Sequence, residues 1–280
     1  MELDFPIEKT IKARSSVRTY EDRPLSSDIK GQIKAYIGTL SNPFSVDVSI
    51  RFLESNSVVN GKRLGTYGVI KGARDFIGAA VNEGELALEA LGYSFEKLIL
   101  YATYHDLGTC WLGGTFKRSE FAKAMNFGDK DLFPAISPIG YSLGKKRLLE
   151  SFSRSIAKAD QRKSWSELFF KNDFSQPLSQ ADAGEFTFPL EMLRLAPSAV
   201  NKQPWRIIQA ENNYHFYKTK ASTSSSRASL DIQRVDLGIA ACHFHLAASE
   251  KDLPGRFEKL PTPDIYTPAH EQYVFSWVIK

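Results

Sequence analysis

The stretch "LRLAPSAVNKQPWRII", Leu193 to Ile208, reads as a helix that stops at a turn and becomes a strand. Pro197, Asn201 and Pro204 form the turn, and Trp205 to Ile208 resumes the apolar character of an extended segment. Ser198, Asn201 and Gln203 supply neutral donors and acceptors of the kind that a heteroaromatic ring edge requires, although Asn and Ser beside a proline also suffice to build a plain turn. At the other end of the chain, "RSSVRTY" (Arg14 to Tyr20) sets two guanidinium groups four residues apart with Ser15 and Ser16 between them. Such a cluster can hold a phosphate through charge-assisted forked hydrogen bonds, and it can equally be a solvated basic turn.

The surrounding chain is ordinary for a globular protein. At 280 residues it can bury a sizeable core as one large domain or two smaller ones. Apolar residues at 42% and charged residues at 24% argue against disorder. The net charge of +4 comes from 36 basic and 32 acidic residues with no basic block, so no nucleic-acid partner is expected. The start, "MELDFPIEKTIKARSS", carries acids where a secretory signal needs a basic region before an apolar run, and no segment reaches the length of a membrane span. Cys110 and Cys242 form no CxxC and no ladder of pairs. These features predict a reducing, cytoplasmic, soluble protein without a disulfide framework or a membrane partner.

Apolar periodicity predicts a helix from Ser26 to Leu40, with Ser27 as its cap and Ile29, Ile33 and Ile37 on one face. "SVDVSIRFLES" alternates as a strand. A central buried helix is expected from Glu85 to His105, with a seam of Leu88, Leu91, Phe95, Leu98 and Ala102, weakened by Gly92 and ended by Gly108. A second long helix is expected from Val235 to Lys251. Shifted by 146 residues, "LYATYHDLGTCW" falls on "LAASEKDLPGRF", so that Asp106-Leu107 meets Asp252-Leu253 and Trp111 meets Phe257. The closing strands are "AISPIGYSL" and "YVFSWVIK". "KNDFSQPLSQADAGE", Lys171 to Glu185, reads as a polar linker, and Thr219 to Ser229 as a loop of small residues.

Two further stretches could carry chemistry. "GTCWLGGTF" contains Gly113-Gly114, where missing side chains let a flat ligand approach backbone N–H groups. "QRKSWSELFF" adds Arg162 and Lys163 as phosphate contacts. His105 is read as a core or helix-end histidine, and His243 and His245, two apart on a helix, make an improbable metal pair. Phe44, Trp111 and Phe116 could line a substrate pocket or simply build aromatic core.

Taken together, "RSSVRTYEDRPLS", "LRLAPSAVNKQPWRI", "HDLGTCWLGG", "PIGYSLGKK" and "QRKSWSELFF" resemble the successive signatures of the flavin-dependent nitroreductase family. The resemblance implies an α+β fold with FMN at the interface of an intertwined homodimer, reduced by NADH or NADPH in a ping-pong route. In that family each flavin takes the Arg-Ser segment from one subunit and the Pro-Ser-Ala segment from the other. Here the first half keeps the Arg-Ser segment and has only "LSNPFSVDV" where the other should follow, while the second half keeps "LAPSAVNKQPW" and has no Arg-Ser segment. This departure is similar to a tandem branch of the superfamily: two degenerate halves, 1–172 and 173–280, forming a monomeric pseudo-dimer around central helices with antiparallel or mixed sheets.

By that resemblance Arg14, Ser15 or Ser16, Arg18 and Arg162, with Lys163, would hold the phosphate and ribityl chain. Backbone at Leu112, Gly113 and Gly114 would face the reactive edge of the isoalloxazine. Pro197, Ser198, Ala199 and Asn201 would reach it across the seam. No side chain need act as acid or base, no metal is called for, and the partners expected are a nicotinamide donor and a small electron-poor acceptor such as a nitroaromatic, quinone or activated alkene. The alternative is a flavin-binding or partner-binding protein that has lost turnover.

Overall fold

The computed structural model describes residues 4–54, 64–144, 161–220 and 230–280. Chain order begins with α1 (Ile7–Ala13), α2 (Ser27–Thr39), β1 (Val48–Leu53), β2 (Asp75–Val81), α3 (Ala87–Tyr104), β3 (Gly108–Thr109), α4 (Arg118–Ala124) and β4 (Leu132–Gly140). It continues with α5 (Trp165–Leu168), β5 (Phe169–Lys171), α6 (Gln180–Ala183), α7 (Thr187–Arg194), β6 (Trp205–Ala210), β7 (Asn213–Thr219), α8 (Ile232–Glu250), β8 (Gly255–Glu258) and β9 (Glu271–Ile279). The class is α+β, as expected, with the first sheet packed on α3, the second on α8, and the two helices packed on each other.

The first sheet runs β1-β2-β4-β3 and the second β5-β6-β7-β9-β8. Omitting β5, the two orders are the same, and every pairing within them is antiparallel. Strand β5 adds to the edge of β6 in parallel, which makes the second sheet mixed. With β5 left aside, in each sheet two strands lead into the long helix, and the chain returns from that helix into the remaining two.

Helix α3 is buried on nearly every side, and all five seam residues from Leu88 to Ala102 lie in the core. It meets α8 at a backbone-to-backbone crossing. A Cβ on Gly92 would stand 2.2 Å from Val235 O, and one on Gly238 would stand 2.0 Å from Glu89 O. Gly92 and Gly238 are 146 residues apart, and so are Glu89 and Val235, so the crossing is reciprocal at the shift that aligns the two halves of the sequence. Glycine at Gly92 is therefore a requirement of helix packing, and the weakening expected from its propensity is overridden by that contact.

The two long helices also end alike. Asp106 and Asp252 both take left-handed φ, 56° and 53°. The next residues, Leu107 and Leu253, each donate a backbone N–H five residues back, to Ala102 O and Ala248 O, both at 3.0 Å. This is a Schellman closure with Asp in the place that glycine most often fills.

Several boundaries differ from expectation. Gly108 does not end α3; it lies in β3, where a Cβ would press on Val17 at 2.9 Å. The cap of α2 is Ser26, whose hydroxyl accepts from Ile29 N at 3.3 Å, rather than Ser27. Helix α8 begins at Ile232, three residues earlier than its apolar period indicates. The stretch expected as a polar linker carries β5's last residue and the helical turns of 180–186, with Ser179 capping at Asp182 N, 3.0 Å. Of the expected small-residue loop, 221–229 lies outside the described residues.

Candidate functional site

Local chemistry explains how each segment is presented. Past α1 the chain from Arg14 to Tyr20 is extended and laid between two partners: Val17 N donates to Thr109 O at 2.8 Å, Lys71 N to Arg18 O at 2.9 Å, and Tyr20 N to Lys71 O at 2.9 Å. Val17 and Tyr20 face inward, and Tyr20 Oη closes the segment on Val17 O at 2.8 Å. Ser15 and Ser16 are left exposed, with Arg14 and Arg18 half-buried. Arg14, Arg18 and Ser16 surround the Cys110 thiol, whose pKa is nonetheless pushed up by burial, so this cysteine stays a thiol and is not an activated nucleophile.

Arg14 points at a carboxylate that the sequence pattern hides. Glu96 of α3 is fully buried, and its Oε1 lies 4.0 Å from Arg14 Nε. Trp111 Nε1 donates to its Oε2 at 2.6 Å, and His243 Nε2 lies 3.0 Å from its Oε1. The other ring nitrogen of His243 lies 3.0 Å from Met192 O of α7. One carboxylate thus gathers an arginine, an indole and an imidazole from three elements, which satisfies a group that would otherwise be very costly to bury.

The second cluster forms around the turn quoted at the outset. Ser198 Oγ accepts from Gln203 N at 2.8 Å, and Gln203 Oε1 accepts from Lys163 N at 2.8 Å. Asn201 Nδ2 donates to Gln161 O at 2.8 Å, and Arg162 reaches Asn201 Oδ1 at 3.4 Å and Leu195 O at 3.1 Å. Arg162 and Lys163 therefore meet the Pro-Ser-Ala-x-Asn segment. Burial, with Arg206 beside it, pulls the Lys163 pKa down. Val200, Asn201 and Gln203 all hold left-handed φ, between 46° and 55°, and Val200 is 85% exposed. Strain of this kind, in residues that are not glycine, concentrates where a backbone shape is used.

Helix α8 joins the two clusters. The Cβ position of Gly113 lies 3.5 Å from Ile232 Cδ1, and one turn further Asp236 Oδ1 accepts from Ala199 N at 2.9 Å. Lower on the same helix, His243 ties Glu96 to α7, three residues before the carbonyl that Arg162 holds. Asp236 is 3% exposed and its Oδ2 has no hydrogen-bond partner among the described residues. Burial pushes its pKa up to about 7, and Asp231 adds to the rise while the Ala199 N–H and Lys202 oppose it.

Beside Gly113 and Gly114 lies a cavity of about 780 Å³, bordered also by Tyr67, Phe116 and Arg118. Nothing stands within 4 Å of a Cβ position on Gly114, and Arg118 is anchored on Gly113 O at 2.7 Å. Leu112 is different: its N–H donates to Ile136 O at 2.9 Å and its side chain is core, so only the glycines can offer backbone to a ligand there. Of the three aromatic candidates, Phe116 borders this cavity, Trp111 is committed to Glu96, and Phe44 lies elsewhere, against Phe257, Phe275 and Tyr93. His105 ends α3, as expected, and no metal-binding group of His, Cys, Asp or Glu occurs among the described residues. Glu96 and Asp236 were missed because their neighbours Phe95, Leu98, Val235 and Leu237 read as plain core; the signal available was an acid interrupting each buried apolar run.

A family model described as "Putative TM nitroreductase" matches residues 6–248. The chain belongs to this nitroreductase family. A solved structure from Thermotoga maritima, described as a "putative nitroreductase", is 20% identical, with all of this chain and 96% of that one covered at a TM-score of 0.60, so the two nitroreductase-family chains share a fold along their length. A nitroreductase family protein from Clostridium novyi NT is 19% identical over 51% of this chain and 88% of its own, TM-score 0.40. A nitroreductase with bound FMN from Bacteroides fragilis is 17% identical over 49% of this chain and 88% of its own, TM-score 0.40. No curated protein matches. Among the described residues no helix of this nitroreductase-family chain is long and apolar enough to cross a membrane.

Proposed function

We propose that this chain is an FMN-dependent oxidoreductase that draws on NADH or NADPH and reduces an electron-poor acceptor, with one flavin site per chain. The observation that carries this reading is the linkage, through α8 and Glu96, of the Arg-Ser segment, the Gly-Gly segment and the Pro-Ser-Ala-x-Asn segment within one chain. Two features support FMN as the cofactor. A cavity of about 780 Å³ lies against Gly113 and Gly114, inside the range of roughly 300–1,000 Å³ common for ligand sites. Arg14, Arg18, Arg162 and Lys163 offer the positive charge a phosphate dianion needs, and the exposed Ser15 and Ser16 add hydroxyl donors.

In this reading Arg14, Arg18 and Arg162 bind the phosphate, with Lys163 beside them. Gly113 and Gly114 admit the ring, and Pro197, Ser198, Ala199 and Asn201 hold the ring or ribityl chain from the other side. Bound FMN would supply the two-electron chemistry between nicotinamide and acceptor. The protein binds, orients and excludes water.

We also read the chain as a fused pseudo-dimer of residues 1–172 and 173–280. Matching strand orders, matching helix closures and the reciprocal glycine crossing support this. So does the stretch "LSNPFSVDV", which stands where a second Pro-Ser-Ala segment would follow. There Phe44 packs on Phe257 at 5.5 Å and Phe275 at 5.2 Å, filling the place with aromatic rings. A monomer is expected, since the surface a dimer would use is internal.

The test is an absorption spectrum of the purified protein, with released flavin counted per chain, before and after anaerobic NADH or NADPH. About one FMN per chain that bleaches is the expected result. Bound flavin that neither donor bleaches would leave a binding protein without turnover, two per chain would overturn the single-site reading, and none after soaking with FMN would overturn the cofactor.

A further inference from the structure

We propose that Asp236 is an additional cofactor contact, whose free carboxylate oxygen accepts a hydrogen bond from a donor of the bound flavin nucleotide, the ring N3–H or a ribityl hydroxyl. The proposal rests on the flavin reading above and goes beyond its residue set.

The geometry is that of an unfinished pair. Asp236 sits on α8 one turn past Ile232, which packs on Gly113, and its Oδ1 fixes Ala199 N at 2.9 Å. It is thus bracketed by the two segments that would enclose the ring, one from each half. Oδ2 is buried without a partner among the described residues. A buried acceptor left unmade costs about 1–3 kcal/mol, and more when charged, so the site gains most from a ligand that brings a donor. Oδ1 is already spent on the strained turn of Ala199 to Asn201, so the same carboxylate would fix that turn and the ligand together.

The charges around it set how this binding responds to pH. Asp231 opens the same helix and is held by Lys218 of β7. Lys202 comes from the strained turn. On the α3 side Arg234 is bound to Glu89 through two hydrogen bonds of 2.7 Å, and Arg118 stands over the Gly113 carbonyl. With no cation paired to it among the described residues, Asp236 is held partly protonated near neutrality before the ligand arrives. A donor on Oδ2 favours the carboxylate, so FMN binding displaces that proton.

The experiment is FMN titration of apo-protein by flavin fluorescence quenching at pH 6 and pH 8, for wild type and Asp236→Asn. The second ionisation of the phosphate, near pH 6, affects both proteins alike. Wild type should gain about three- to tenfold more affinity across this range than Asp236→Asn. At pH 8 the variant, whose amide can still accept from Ala199 N, should bind several-fold more weakly. Equal affinities and equal pH slopes would overturn the role of Asp236 while leaving the cofactor reading intact, and a wild type that binds no FMN would overturn both. If the variant does not fold, wild type alone decides: at pH 7.5, where the phosphate is already ionised, release of a fraction of a proton on binding supports the contact, and no release overturns it.

Discussion

Two neighbouring clusters on the packed pair α3 and α8 have been built in opposite ways. At one, Glu96 draws in Arg14, Trp111 and His243 and leaves polar groups and open backbone nearby. At the other, Phe44, Tyr93, Phe257 and Phe275 close on one another, with Phe257 standing where the 146-residue shift puts Trp111. His245, beside this aromatic cluster, is kept neutral: burial, with Lys97 nearby, takes its pKa down to about 4, and the Tyr93 hydroxyl lies 2.9 Å from its Nδ1. A symmetric dimer must place the same residues at both sites. In the fused pseudo-dimer proposed above, a single chain would be free of that constraint, so one cluster can keep a costly polar network while the other is packed for stability.

That contrast can be broken at three places. Glu96→Ala should have the largest effect, a loss of about 3–5 kcal/mol in urea denaturation, because it strands an arginine, an indole N–H and an imidazole in the interior. A loss below about 1 kcal/mol would mean that the network does not hold the polar cluster together. Asp236 gives the next effect, about 4 kcal/mol over the full titration, and its sign follows from proton counting. Its folded pKa, about 7, lies above the ordinary carboxyl value, so the native state holds the proton more tightly than the unfolded chain. Wild-type apo-protein should therefore lose stability as pH rises from about 4 to about 7, and Asp236→Asn should lack that loss. Parallel pH–stability curves from the two proteins would remove the strain assigned to Asp236.

Phe44→Ala should cost least, about 1–2 kcal/mol for a half-buried ring, and should leave the flavin count per chain unchanged. A second bound flavin in this variant would sharpen the comparison instead, since it would show that aromatic filling alone had closed the other site.

What the sequence reveals follows the reach of each signal. Both long helices and the closing strands announce themselves through local apolar periodicity, and the Asp-Leu match marks the repeat, while the closure that the two ends share is visible only in the structure. Strand β5 does not, because three residues pairing in parallel with a strand 38 positions later leave no local pattern. The short helix α5 was legible in principle from Ser164 and Glu167, which form a capping box. Gly108 misled because a glycine after a helix fits a cap and a close approach equally well, and only the position of Val17 decides between them. For the site, the segments with unusual composition were visible, and the buried acids were not. Their role depends on what α3, α7 and α8 bring together across some 150 residues.

Strand β5 has one more consequence. Residues 161–171 come before the boundary drawn between the halves, yet Phe169 to Lys171 is stitched into the second sheet, and Trp165 donates its indole N–H to Leu178 O at 2.6 Å. The chain is clasped across its own midpoint, so neither half could be cut free with its hydrogen bonds intact. Heating should melt both sheets in a single calorimetric transition, and a fragment ending at residue 172 should expose an unpaired strand edge and clump rather than stand alone.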